Sequence, residues 1–221
     1  MKPAYNIKKI NPYAPDPKLI SEAVNIVRKG GIIAFPTKGL YGIGADAFNF
    51  KAVKRIFDIK RRPLNKPVLV LINDLKDLNK LAAHVPKTAK LIIDAFWPGN
   101  ITIVFKAKEA LPENLTAGSG KIGVRLPVHR VSRALVGGIN GPITGTSANI
   151  SGKTGCSNIE DMDISIINKV DLILDAGHLK GGPGSSVIDV TLDPPQILRE
   201  GEISGKKILN IIDNGVRLFY L

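Results

Sequence analysis

The chain has 221 residues, is 44% hydrophobic and carries a net charge of +12, with 31 Lys and Arg against 19 Asp and Glu. That suits one α/β domain with a sizeable core, and the 22 Gly and 15 Pro are scattered rather than gathered into a low-complexity tract. The charge favours anionic partners such as nucleotides, RNA or a membrane surface, without choosing among them. The single Cys156 excludes a disulfide framework or multi-cysteine zinc site, and His84, His129 and His178 are too widely spaced for a metal motif.

Asp16-Pro17 reads as a helix start, Asp as cap and Pro at the first helical position, and Ile20, Ala23, Val24 and Val27 follow at helical spacing until Gly30-Gly31. Ile32 to Phe35 is a short apolar run, hence a buried strand. Ala52, Val53, Ile56 and Phe57 mark a second helix ending near Lys60, and Val68 to Ile72 is another buried strand. A helix is predicted from about Pro86 to Phe96, strands at Ile101–Phe105 and Ile122–Arg125, and a helix near Val131 to Val136. A short strand leads into Thr146, and further strands follow at Leu172–Leu174, Val187–Val190 and Gln196–Leu198. A terminal helix runs from about Ser204 to Ile212 within the tail 204–221. The alternation predicts an α/β (α+β) fold around one mixed, twisted sheet, with residues 1–221 forming one domain. The start, Met1 to Asn6, lacks an apolar leader, and no apolar run approaches the ~18 residues of a membrane span. A cytoplasmic protein with no membrane partner is expected.

Three stretches carry chemistry. Pro36-Thr37-Lys38-Gly39-Leu40-Tyr41-Gly42-Ile43-Gly44 follows a buried strand, and its glycines allow either a close approach to a ligand or a plain tight turn. It is neither a Walker A loop nor a GxGxxG fingerprint. Lys60-Arg61-Arg62-Pro63-Leu64-Asn65-Lys66-Pro67 is a stiff basic loop, which suits phosphate oxygens or a solvated helix C-terminus. Thr144-Gly145-Thr146-Ser147-Ala148-Asn149-Ile150-Ser151-Gly152 clusters small hydroxyl and amide groups after a strand, as for phosphate or ribose, or for an Asx turn. Arg125, at the end of an apolar strand, is either paired or facing a site, and Gly181 to Ser186 makes another open loop. No catalytic triad or carboxylate pair is visible, so positioning and charge stabilisation of a phosphorylated substrate are the chemistry on offer.

In this order the pieces resemble the YrdC/Sua5 family of threonylcarbamoyl-AMP synthases over roughly residues 19 to 202. The resemblance is carried by Gly31–Phe35 with Pro36-Thr37 and Tyr41-Gly42, and by Lys60-Arg61-Arg62-Pro63 with Lys66-Pro67. It continues in Trp97-Pro98-Gly99 with Thr102, Gly123-Val124-Arg125-Leu126-Pro127 and Ser147-Ala148-Asn149. Ser185-Ser186 and Arg199-Glu200-Gly201 complete it. It implies a twisted mixed sheet with flanking helices and a concave basic face. The implied reaction joins L-threonine, bicarbonate and ATP into threonylcarbamoyl-adenylate and pyrophosphate. Mg2+ accompanies the ATP, no metal is held by the protein itself, and a separate transferase passes the group to adenosine 37 of tRNA. By the family pattern, Lys60 and Arg62 (KxR) and Ser147 and Asn149 (SxN) are the catalytic, phosphate-holding pairs, with Lys66 and Arg199 also on the ATP side. Thr37, Gly39, Arg125, Gly145 and Ser185 fall at threonine positions, Arg125 suiting the carboxylate.

The chain departs from the pattern at two places. Lys38 and Gly39 stand where the family often has an acid and Thr, and Leu71 stands where a contacting His is common. About 20 residues follow Glu202, so the short form without the extra C-terminal domain is expected. The rival reading is a basic module that binds tRNA or double-stranded RNA around a vestigial nucleotide site. Against it, aromatics are only 5% and no RNP motif is present.

Overall fold

A computed structural model describes residues 6–218; Met1 to Tyr5 and the last three positions of the 204–221 tail lie outside the described residues. Strand β1 (Ile7–Lys9) precedes helix α1 (Pro17–Arg28), strands β2 (Ile33–Pro36) and β3 (Tyr41–Gly44), helix α2 (Phe50–Lys60) and strand β4 (Val70–Leu71). Next come helices α3 (Leu78–Leu81) and α4 (Lys87–Phe96), strand β5 (Ile101–Lys106), helix α5 (Glu113–Thr116), strand β6 (Lys121–Arg125) and helix α6 (Arg130–Ile139). Strands β7 (Ile143–Thr144) and β8 (Thr146–Ser147), helix α7 (Ile164–Ile167), strands β9 (Leu172–Asp175), β10 (Ser186–Asp189) and β11 (Gln196–Arg199), and helix α8 (Gly205–Leu218) complete the chain.

The strands form two mixed sheets where one was expected. The five-stranded sheet has the order β1-β9-β2-β3-β8, the six-stranded one β11-β10-β5-β6-β4-β7. They are stitched together where the chain changes sheet between β7 and β8. Asp46 bridges Ile143, the Thr144 amide donates to Ala45 O at 2.8 Å and the Gly145 amide to Leu69 O at 2.9 Å. The physical reason is Gly145: a Cβ there would meet the Leu71 side chain at 2.5 Å, so only glycine lets the segment cross this closely. Tyr41–Gly44, read as part of a glycine loop, is instead a buried strand pairing with β2 in antiparallel register from Ile33↔Gly44 to Pro36↔Tyr41.

The cores follow from the patterns. β2 is buried on both faces. Ile32 and Ala34 pack with Ala52, Ile56 and Ile59 of α2, while Ile33 and Phe35 pack with Val24 and Val27 of α1 and Val131 and Leu135 of α6. Asp16 caps α1 by accepting from the Lys18 amide at 2.8 Å, and Asn49 caps α2 through the Ala52 amide at 3.0 Å, worth about 1 kcal/mol each. The six-stranded sheet has one packed face, where Ile101, Ile103, Phe105, Ile122, Val124 and Ile188 meet Ile92 of α4 and Ile208 of α8. Strand alternation turns the intervening residues to the opposite, open face. The terminal helix, expected within 204–221, runs from Gly205 to Leu218.

Candidate functional site

Against that open face lies a cleft of about 910 Å3, whose other wall is the β3/β8 edge of the five-stranded sheet with the loop after β8, while the turn after β2 reaches across to the 181–184 loop. Every residue given a site role from the sequence lines it: Thr37 and Gly39, Lys60, Arg62 and Lys66, Arg125, Gly145, Ser147 and Asn149, Ser185 and Arg199. Leu71 does not. It is fully buried beneath Gly145, and Leu69, two residues earlier on the same segment, lines the cleft instead. Seven cationic and two acidic side chains face the space, and both acids are already paired. Asp189 holds Lys121 at 2.8 Å, and Glu202 holds Lys38. None of the three histidines lines the cleft. Cys156 is buried, its thiol 3.4 Å from Ala148 O.

The basic loop and the hydroxyl loop are one construction. Helix α2 ends because Arg61 adopts the left-handed conformation at φ 48°, which turns the chain so that Arg62 folds back. Arg62 donates through Nε to Lys66 O at 2.9 Å and through Nη2 to Pro67 O at 2.6 Å, so the loop is held by its own cation as well as its prolines. Lys60 is only 1% exposed. Its ammonium donates to Ser147 O and, at 2.7 Å, to Asn149 O, with Asn149 Oδ1 at 3.4 Å. Ser147 Oγ donates to Asn149 Oδ1, and Asn149 Nδ2 donates to Ile150 O and Lys153 O at 2.9 and 2.5 Å. Burial, with the Arg62 charge nearby, pushes the Lys60 ammonium down to about 7, and burial also lowers Arg62.

The opposite wall is built differently. Arg125 ends β6 with 7% exposure, and its buried Nε has no hydrogen-bond partner. Burial, then the Arg199 charge, pushes it down to about 10. Arg199, itself lowered by burial, donates to Ser185 O at 3.0 Å (Nε) and 2.6 Å (Nη2) and to Ser185 Oγ at 3.1 Å. Ser185 Oγ in turn lies 2.9 Å from Thr102 Oγ1. Thr37 Oγ1 donates to Leu40 O at 2.6 Å, closing its turn. Gly39 has no room for a side chain, since a Cβ there would run into the Gly181 carbonyl oxygen, and the Gly181 amide donates to Gly39 O at 2.9 Å.

Sequence reasoning missed Lys121, Asp189, Asn100 and Glu202 in this cleft. Lys121 had a usable signal: it shares the period-two face of β6 with Gly123 and Arg125, while Ile122 and Val124 point to the core. Asn100 and Glu202 had none, being brought in by loop geometry.

The site and fold together define a nucleotide-sized, cation-lined cleft between two mixed sheets. The family model Sua5_yciO_yrdC, described as Telomere recombination, matches residues 25–201, and the chain belongs to that family. A threonylcarbamoyl-AMP synthase of Pyrococcus abyssi is 36% identical over 190 residues, 86% of this chain and 56% of that protein. A putative threonylcarbamoyl-AMP synthase of Methanocaldococcus jannaschii is 37% identical over 182 residues, 82% of this chain and 85% of the relative. The crystal structure of Pyrococcus abyssi Sua5 complexed with L-threonine superposes with a TM-score of 0.88 at 34% identity, over 93% of this chain and 60% of that one. The chain thus spans little more than half the length of the Pyrococcus relative. No described helix is long and apolar enough to cross a membrane.

Proposed function

We propose that the chain is an enzyme that makes threonylcarbamoyl-adenylate from L-threonine, bicarbonate and ATP, releasing pyrophosphate, as the activating step of tRNA threonylcarbamoylation. The observation that carries the reading is convergence: the basic loop, the SxN loop, Arg125 and the Ser185 loop, far apart in sequence, line one cleft with a cation excess. Threonylcarbamoyl-AMP synthase is also the name borne by the relative at 36% identity.

On this reading Lys60, Arg62, Lys66, Ser147, Asn149 and Arg199 serve the triphosphate. Arg125, Ser185, Thr37 and the backbone of Gly39 and Gly145 serve threonine, Arg125 offering its guanidinium to the carboxylate. The amine of threonine takes up bicarbonate with loss of water, and the resulting carbamate oxygen attacks the α-phosphorus in line as pyrophosphate leaves. Rate comes from alignment and neutralised charge, with no covalent protein intermediate. Among the described residues no cluster of three or more His, Cys, Asp or Glu could hold a metal ion, and both cleft acids are paired with lysines. Magnesium would therefore arrive with the triphosphate, held by its oxygens. The product would pass to a separate transferase that modifies tRNA, in the cytoplasm. Direct contact with tRNA or double-stranded RNA is supported only by the net charge of +12.

The test incubates the protein with magnesium, bicarbonate and α-labelled ATP, with and without threonine, and follows pyrophosphate and adenylate. Turnover that requires both threonine and bicarbonate is expected. Its absence, together with RNA binding that is steeply salt-dependent and indifferent to ATP, would leave the RNA-binding module in its place.

A further inference from the structure

Glu202 joins three segments around the Ser185 side of the cleft. One carboxylate oxygen takes an ion pair from Lys38 in the β2–β3 turn. The other accepts from Asn100 Nδ2 at 2.6 Å, just before β5. The Glu202 amide donates to Gly184 O at 3.0 Å, in the loop that delivers Ser185. The same segments are fastened again beside it. The Gly181 amide donates to Gly39 O, the Ser186 amide donates to Asn100 O at 3.1 Å, and Gly201 lies so close that a Cβ would overlap the Ser185 backbone. Lys38 belongs to the turn of Thr37, and Thr102 on β5 bonds Ser185. Both oxygens of Glu202 are engaged, so it acts on the site through these neighbours. Lys38, foremost, and then Asn100 hold its carboxyl below the usual carboxylate range against burial, so it is charged at neutral pH.

We propose that Glu202 is a positioning residue for the amino-acid substrate: through Lys38 and Asn100 it draws the Thr37 turn against the Ser185 loop and sets the gap that the substrate must bridge. The identity of that substrate rests on the proposed function; the clasp itself does not. The Lys38 and Glu202 side chains are each 41% exposed, so the pair adds little to global stability.

The experiment compares the wild type with Glu202→Gln and with the exchanged pair Lys38→Glu/Glu202→Lys. Steady-state kinetics are read alongside hydrogen exchange at the Gly181 amide and thermal unfolding. Glu202→Gln is expected to raise the KM for threonine about two- to five-fold, the span of one exposed ion pair. The KM for ATP and the melting temperature stay put, Gly181 exchanges faster, and the exchanged pair restores most of both losses. Three results overturn the proposal. Unchanged exchange at Gly181 means there is no clasp. A parallel rise in both KM values with a lower melting temperature means a merely structural role. Faster exchange in an enzyme whose threonine KM is unmoved means the clasp does not position the substrate. A wild type without threonine-dependent turnover fails the functional reading first and takes the substrate assignment with it, while the exchange data still report on the clasp.

Discussion

Lys60 and Arg125, on facing walls of the cleft, are cations used in opposite ways. Lys60 and Arg62 direct donors at backbone carbonyls, so their loops are fastened before any ligand arrives. Arg125 on the facing wall is just as deeply placed, yet its Nε has no partner. A buried charge left unpaired carries a desolvation cost that only an incoming anion can offset. The difference separates two states that look alike in sequence: cations already satisfied by the protein's own carbonyls, and a cation left without a partner.

Arg125→Met is the sharpest way to break that comparison. On the proposed reading, removing this cation removes a substrate contact and a folding cost together. Threonine-dependent turnover should fall at least about 100-fold, in the 2–5 kcal/mol range of losing a buried charge partner. The thermal unfolding midpoint should hold or rise. A midpoint that falls along with activity would make Arg125 a structural residue and erase the contrast between the walls.

Lys60 gives a smaller effect with a sign that can be worked out. Its folded value, about 7, lies below the ordinary 10.5, so between those values the unfolded chain binds more protons. The cost of the buried charge is therefore fully present below about pH 7 and fades as pH rises towards 10.5, and stability climbs over that window. ATP, an anion, favours the protonated form. Its affinity should weaken as pH rises through 7, and binding at pH 8 should take up a proton. Calorimetry in two buffers of different ionisation enthalpy reads that uptake. In Lys60→Met the uptake should vanish and ATP affinity drop about tenfold, the worth of one charged hydrogen bond. Proton uptake that persists would place the titrating group elsewhere.

How much of this could be read from the sequence depends on which forces act locally. β2, α1 and α2 were legible because a continuous apolar run, a cap and a helical spacing are local signals, and each sits within a few residues of its expected place. Tyr41–Gly44 was not, because its glycines read as a loop while pairing with β2 and β8 made it a strand. The second sheet was missed for a related reason. The change of sheet at Gly145 is fixed by Leu71, some seventy positions away, and no local pattern records it. The residues that line the cleft were picked out by motif, whereas their different partners were invisible, because the carbonyl partners of Lys60 and the missing partner of Arg125 are facts of packing.

Gly39 shows the same limit at the smallest scale, and completes the comparison. On sequence it looked like the loss of a hydroxyl, since the resemblance puts Thr at that place. In the fold it is the only residue that fits. A Cβ at 39 would run into the Gly181 carbonyl, and the Gly181 amide bonds Gly39 O at 2.9 Å. Gly39→Thr, which brings back the family's common residue, should therefore not improve the enzyme. It should push the turn off the 181–184 loop and break one backbone hydrogen bond. The local cost is about 0.5–1.5 kcal/mol, read as several-fold faster exchange at Gly181 with the global midpoint nearly unchanged. Because the hydrogen bonds that hold Lys60 run to Ser147 and Asn149 and none to this turn, ATP affinity should stay close to the wild-type value. If Gly39→Thr instead lowers the threonine KM without disturbing Gly181, the two loops are free to part, and that side of the cleft is looser than Gly39 and Gly181 make it.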